Sequence, residues 1–158
     1  HSLKAGVATL VLDRVQDPGN VGALLRSAAA FGFGQVVALT GTAALWAPKV
    51  VRAGMGSHFA LHLVEGADTT MLDALALPLF GSSSHAPMRI DDETLPWPCA
   101  WVLGHEGQGL SEAVVARCTA MLRIPQPGGE ESLNVAAAGA VCLYESSRQR
   151  AATVAPME

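Results

Sequence analysis

Three cysteines, Cys99, Cys118 and Cys142, are all that the 158 residues contain. They are odd in number, widely spaced and free of any Cys-x-x-Cys pair, which argues against a disulfide framework and a zinc knuckle. A reducing, cytoplasmic compartment is expected. Charge is scarce too: ten basic residues stand against fourteen acidic ones, for a net charge of −4 and a pI near 5.7. That balance speaks against a protein that grips nucleic acid over its whole surface, because such affinity comes chiefly from Lys and Arg on phosphates. Any nucleic-acid contact must be local. Long apolar runs are missing as well. Mean hydropathy is +0.31, yet the longest apolar stretch, Leu133 to Leu143, contains Asn134 and Gly139 and falls short of the roughly 20 residues that cross a bilayer. No basic segment followed by an apolar one opens the chain, and His1 in place of Met reads as a truncation or tag remnant.

Several chemical signatures are also lacking. No Gly-x-Gly-x-x-Gly follows the apolar run ending at Leu12, which disfavours a nucleotide-binding oxidoreductase, and no Gly-Lys-Ser/Thr writes a P-loop. There is no Gly-x-Ser-x-Gly elbow. The zinc-deaminase pairing fails because Ala100, Trp101 and Val102 follow Pro98-Cys99. His58 and His62 have i, i+4 spacing but no Glu between them on a helical pattern, so no metal site is expected.

Half of the residues are hydrophobic, enough for one domain with one buried core. Short apolar runs at Val7–Leu12, Gln35–Leu39, Ala60–Val64, Leu77–Phe80, Ala100–Leu103 and Met121–Ile124 read as strands. Between them the spacing predicts helices over Val21–Phe31, from Pro48 through Arg52, around Met71–Ala76 and over Leu110–Cys118, with a last helix over Leu133–Gln149. This alternation implies an α/β domain with a mainly parallel sheet and helices on both faces. The stretch Ser82–Pro98 is the longest irregular piece, of a length that lines or covers a site.

Three segments place polar and glycine residues at predicted strand ends, where an open α/β sheet binds its ligand. The first is Asp17-Pro18-Gly19-Asn20-Val21-Gly22 with Arg26 following; Asn20 is placed at a helix N-terminus as a cap and Arg26 about two turns further on. The second, Leu103 through Ser111, has glycines at 104, 107 and 109 around His105, Glu106 and Gln108. Glycines at this density let backbone groups approach a ligand closely, and a carboxylate such as Glu106 has little structural reason to be there. In the third, Ile124 to Val135, Ser132 is a candidate cap for the last helix, which leaves Asn134 without a structural role.

Together and in this order the segments resemble the SpoU (TrmH-type) family of RNA ribose 2′-O-methyltransferases, in the SPOUT superfamily of trefoil-knotted enzymes. The first motif is Asn20-Val21-Gly22 through Arg26, the second Gly104 to Leu110, the third Ile124 to Val135, and Ala47 to Gly56 is similar to the family's segment after the second strand. The resemblance covers nearly the whole chain. It implies a deep C-terminal knot, a rare exception among folds, and S-adenosylmethionine bound between the second and third motifs by Gly104, Gly107, Ile124 and Leu133. It assigns Asn20, Arg26, Glu106, Ser132 and Asn134 to the catalytic face. Glu106 and Asn20 are expected to orient Arg26, with no proton acceptor assigned.

Arg14, Lys49 and Arg52 are expected to hold RNA phosphates near Arg26. Ribosomal RNA is the expected substrate and transfer RNA the alternative, with target choice resting on an N-terminal RNA-binding domain outside residues 1–158. The small apolar residues of the last helix point to a homodimer. A reading of another class stays open: a non-catalytic knotted module for dimerisation or ligand binding.

Overall fold

The computed structural model describes residues 2–129 and 133–153. Its seven strands are β1 (Thr9–Asp13), β2 (Gln35–Leu39), β3 (His62–Ala67), β4 (Leu79–Ser82), β5 (Met88–Arg89), β6 (Ala100–Gly104) and β7 (Ala120–Arg123). They form one sheet in the order β3-β2-β1-β6-β4-β7-β5, and every neighbouring pair is parallel. All carboxyl ends therefore lie along one edge. Because side chains alternate across a strand, Leu10, Leu12, Val36 and Trp101 pack on one face, and Val11, Val37, Val64 and Val102 on the other.

The first face is covered by α1 (Pro18–Ala30), α2 (Pro48–Gly54) and α4 (Val135–Thr153). In α1 the buried residues Val21, Leu24, Leu25 and Ala28 recur at helical spacing, Pro18 stands in the first turn, and the Asp17 carboxylate caps the Asn20 N–H. The cap is thus Asp17, not the expected Asn20, whose side chain is left free for other contacts. Helix α2 crosses α1 closely at Gly22, where a Cβ would come within 2.4 Å of the Ala53 Cβ. Helices α1 and α4 run side by side in the same direction: Asn20 meets Asn134, Leu24 lies against Gly139, and Phe31 stacks edge-on with Tyr144.

The other face is covered more thinly than the sequence pattern predicts. The expected helix at 71–76 is a 3-10 turn, Thr69–Leu75, whose buried Leu72 and Leu75 sit at the i, i+3 spacing that this tighter helix aligns. The expected helix at 110–118 reduces to one turn, α3 (Glu112–Val115), because the chain must re-enter the sheet directly afterwards, where Thr119 N–H bonds the Leu79 carbonyl. Ala60 belongs to a 3-10 turn, Ser57–Ala60, ahead of β3. Among the described residues no helix is long and apolar enough to cross a membrane.

Candidate active site

A cleft of about 540 Å³ opens at the carboxyl edge of β4, β6 and β7, lined by Ser82, Gly104, Glu106, Leu110, Ile124 and Leu133 among others. Its central wall is the loop after β6. That loop closes on itself: His105 N–H bonds the Gly109 carbonyl at 3.1 Å, and Gly109 N–H bonds the His105 carbonyl at 2.9 Å. Inside it, His105 Nδ1 accepts from Gly107 N–H at 2.9 Å and Gln108 N–H at 3.0 Å. These two bonds make His105 an internal brace of the loop. Gly104 sits where backbones nearly touch: a Cβ there would lie 2.6 Å from the Gly109 carbonyl carbon.

Arg14 clamps this loop from the end of β1. Its Nη1 donates to Gln108 Oε1 at 2.9 Å and its Nη2 to the Gly109 carbonyl at 3.0 Å, while Nε pairs with Asp13 Oδ1 at 3.1 Å. Asp13 Oδ2 in turn accepts from Ser111 N–H at 2.7 Å. Arg14 is held at a φ of 64°, a left-handed conformation uncommon for a residue other than glycine. Its guanidinium, expected to contact RNA, thus makes hydrogen bonds to Gln108, Gly109 and Asp13.

Glu106 is the meeting point of the first and second motifs. Its carboxylate accepts from Gln16 N–H at 3.1 Å, Asp17 N–H at 2.9 Å and Asn20 Nδ2 at 3.3 Å. Burial alone would raise its pKa, but the backbone donors of Asp17 and Gln16 and the Asn20 amide outweigh it and hold the carboxyl below its ordinary value. Glu106 is therefore ionised at neutral pH.

The third motif joins through Asn134. Its Oδ1 accepts from Ala136 N–H at 2.9 Å and Ala137 N–H at 3.2 Å, so Asn134 is the cap of α4, the role expected of Ser132. With its oxygen so committed, its Nδ2 faces Asn20 Oδ1 at 3.1 Å. Glu106, Asn20 and Asn134 thus form one hydrogen-bonded chain. Ser132 lies outside the described residues.

Arg26 is not part of that chain, contrary to the expectation that Glu106 and Asn20 orient it. It lies six residues beyond Asn20, about 9 Å along the helix axis and a third of a turn around it. There it lines a separate hollow between α1, α2 and α4 with Ala23, Ser27, Ala53 and Ala140. Among the described residues its guanidinium has no hydrogen-bond or ion-pair partner. Lys49 and Arg52 are exposed on α2. His58 and His62 point apart, one bonding the Leu45 carbonyl and the other the Ser2 carbonyl.

Gln126 is the cleft feature that the sequence reading missed: among the described residues its buried Oε1 has no partner, and its place inside the Ile-Pro-x-x-Gly segment was the only signal. Ser82 to His85 form a second wall, in keeping with an irregular stretch long enough to line a site.

Set against known proteins, residues 8–144 match the SpoU rRNA Methylase family. A 23S rRNA (guanosine-2′-O-)-methyltransferase, RlmB, of Nitrosomonas europaea is 38% identical over 144 residues, covering 89% of this chain and 55% of its own length. The chain thus spans little more than half of that relative. The SpoU methyltransferase AviRb of Streptomyces viridochromogenes, solved in complex with the cofactor AdoMet, superposes with a TM-score of 0.87 at 30% identity, over 95% of this chain and 63% of its own. A third structure, described as giving insights into the 2-OH methylation of C/U34 on tRNA, has a TM-score of 0.79 and 30% identity over 91% of this chain and 96% of its own.

Proposed function

The chain belongs to the SpoU rRNA methylase family, and from that premise we propose that it transfers the methyl group of S-adenosylmethionine to a ribose 2′-oxygen of RNA. The observation that carries this reading is the Glu106–Asn20–Asn134 chain, which ties three separate motifs together beside a glycine-walled cleft.

The cleft suits the cofactor. Its volume, about 540 Å³, falls in the usual range for small-molecule sites. Gly104 lets the wall's two backbone strands pack where a Cβ would press on Gly109. Gln126 Oε1, without a partner among the described residues, is an acceptor suited to a donor such as an adenine amino group. Gly104, Gly107, Ile124 and Leu133 would hold the cofactor largely through backbone groups. When bound, it supplies an electrophilic methyl group on a positively charged sulfur.

The residues then have separate tasks. A ribose hydroxyl is a weak nucleophile until its proton leaves. Ionised Glu106, saturated by its donors, fixes Asn20 and the start of α1. Asn20 and Asn134 form the polar face toward the ribose; Ser132, outside the described residues, is assigned to it from the motif alone. Arg26, a planar cationic fork, stabilises the developing alkoxide or a neighbouring phosphate. Arg14 and His105 hold the cofactor loop in shape.

Ribosomal RNA is the proposed substrate, supported by the 38% identity to an enzyme named for 23S rRNA. Transfer RNA is the second reading, favoured by the tRNA-related structure of which this chain covers 96%. Arg26, Lys49 and Arg52 are few cations for a long RNA footprint, so selection of the target is assigned to sequence outside residues 1–158. The proposal includes a cytoplasmic setting, the knotted path of the family and a homodimer. The exposed Val141 and Tyr144 on α4, next to the small residues lining the α1–α4 hollow, support the dimer. Calorimetry with S-adenosylmethionine and its demethylated product tests the reading. Binding of both is expected; binding of neither at millimolar concentration, or of NAD instead, would overturn it.

A further inference from the structure

Between Asp17 and Glu65 the chain contains no acidic residue, while Arg26, Lys49 and Arg52 fall inside that interval. In a protein of net charge −4, the layer made by α1, α2 and the 3-10 turn Ser57–Ala60 thus carries Arg26, Lys49 and Arg52 and no acidic residue of its own. Of the two acids that bound the interval, Asp17 accepts from Asn20 N–H at 2.9 Å and Glu65 from Leu45 N–H at 2.8 Å. On the same layer two aromatic rings stand in solvent: Phe59 is 87% exposed and Trp46 52%. They meet edge to face, with centroids 6.5 Å apart. Trp46 also leans on the His58 ring at 4.8 Å, and buried His58 is anchored to the Leu45 carbonyl at 2.7 Å. The pair is thus seated on a fixed support.

Exposed aromatics beside cations are the chemistry that holds unpaired nucleotides, whose bases stack on rings while their phosphates meet Lys and Arg. We propose that Trp46 and Phe59 form a stacking platform for single-stranded nucleotides flanking the methylated ribose, with Lys49 and Arg52 on the adjoining phosphates. This rests on the RNA reading above and adds where the strand runs. The platform is linked to the site through the Gly22–Ala53 crossing, which fixes α2 against the same helix that carries Asn20 and Arg26. It also accounts for how an acidic chain makes a local RNA contact.

The test measures affinity of the full chain and its variants for an oligoadenylate of about eight nucleotides, within the usual span of single-strand sites, and for a blunt RNA duplex. Sedimentation and S-adenosylmethionine calorimetry run beside it. Phe59→Ala and Trp46→Ala should each weaken the single strand about 5- to 100-fold, with Phe59→Tyr close to the parent and duplex binding unchanged. The double variant Lys49→Ala/Arg52→Ala should lower the salt slope by about 1.4. Cofactor affinity should stay constant throughout. Unchanged single-strand affinity in Phe59→Ala and Trp46→Ala overturns the platform and leaves the methyltransferase reading standing, as does a parent chain that binds cofactor but no RNA. Conversion of a dimer to a monomer by Phe59→Ala overturns it in favour of a contact with a second copy. Loss of both cofactor and RNA binding in the parent chain removes the functional reading itself, and the platform with it.

Discussion

The Asn20 side-chain amide donates to the Glu106 carboxylate across 3.3 Å, although 86 positions separate the two residues. Sheet register causes this meeting. Strands β1 and β6 are parallel neighbours with Asp13 opposite Gly104, so the segments that leave their carboxyl ends emerge side by side. Connections depart in opposite directions from these two strands, toward β2 on one side and β7 on the other, which is where an open α/β sheet leaves a crevice.

The closest backbone approach in that crevice is at Gly104. Gly104→Ala places a methyl group 2.6 Å from the Gly109 carbonyl carbon, and backbone, unlike a flexible side-chain tip, cannot yield cheaply. S-adenosylmethionine affinity measured by calorimetry should fall by about tenfold or more, each tenfold step being 1.4 kcal/mol. Undiminished affinity would show that the loop after β6 does not contact the cofactor.

Glu106 predicts a pH dependence of defined sign. Its pKa is lowered in the folded chain, so its contribution is present above the unfolded value and disappears as pH falls through the folded one. Amide exchange at Gln16 and Asp17, whose N–H groups it accepts, should be protected at neutral pH and lose protection on acidification below the ordinary carboxylate range. Glu106→Gln should abolish that acid step and reduce methyl transfer. A step of the same size in Glu106→Gln would assign the protection to another group.

At the α1–α2 crossing, Gly22→Ala forces a methyl group to within 2.4 Å of the Ala53 Cβ and 2.9 Å of the Val50 carbonyl oxygen. The helices must separate, with a loss of roughly 1–3 kcal/mol typical of overpacking. Denaturant unfolding measures it. Gly128→Ala, with nothing within 4 Å, is the control and should be near neutral.

The strands were the most readable part of the sequence, because β2 buries all of its residues and its apolar run stands between clear turns. The helices on the thin face were not. Leu72 and Leu75 satisfy helical and 3-10 spacing alike, and only the room left under the sheet decides between them. The motifs identified Asn20, Glu106 and Asn134 as polar residues out of place, but their hydrogen-bonding roles were exchanged: Asp17 took the capping duty expected of Asn20, and Asn134 that expected of Ser132. Arg14 was legible only as a cation. Its service to the loop depends on Gln108 and Gly109, residues that reach it through the sheet and not through local spacing.

The cysteines should be inert as nucleophiles. Burial pushes the Cys99 and Cys118 thiols up to about 11 and Cys142 to about 12, outweighing the hydrogen bonds between Cys99 and Ser146 and between Cys142 and Ser82. All three are protonated at neutral pH. A thiol reagent at pH 7 should leave Cys99 and Cys142 unlabelled until the chain is unfolded, and rapid native labelling of either would contradict their burial.

Arg26→Ala should abolish methyl transfer while cofactor affinity stays within a few-fold, since Arg26 lines a hollow apart from the cleft. If Arg26→Lys retains near-full activity, a point charge suffices and the planar fork is unnecessary.

The central claim is tested most directly by locating the transferred group. The chain is incubated with methyl-labelled S-adenosylmethionine and ribosomal or transfer RNA, and the RNA is then hydrolysed in alkali, which cannot cleave beside a 2′-O-methylated ribose. The expected result is label in alkali-resistant dinucleotides at a defined position. Label on a base, or no label although both cofactor and RNA bind, would contradict ribose 2′-O-methylation by this chain.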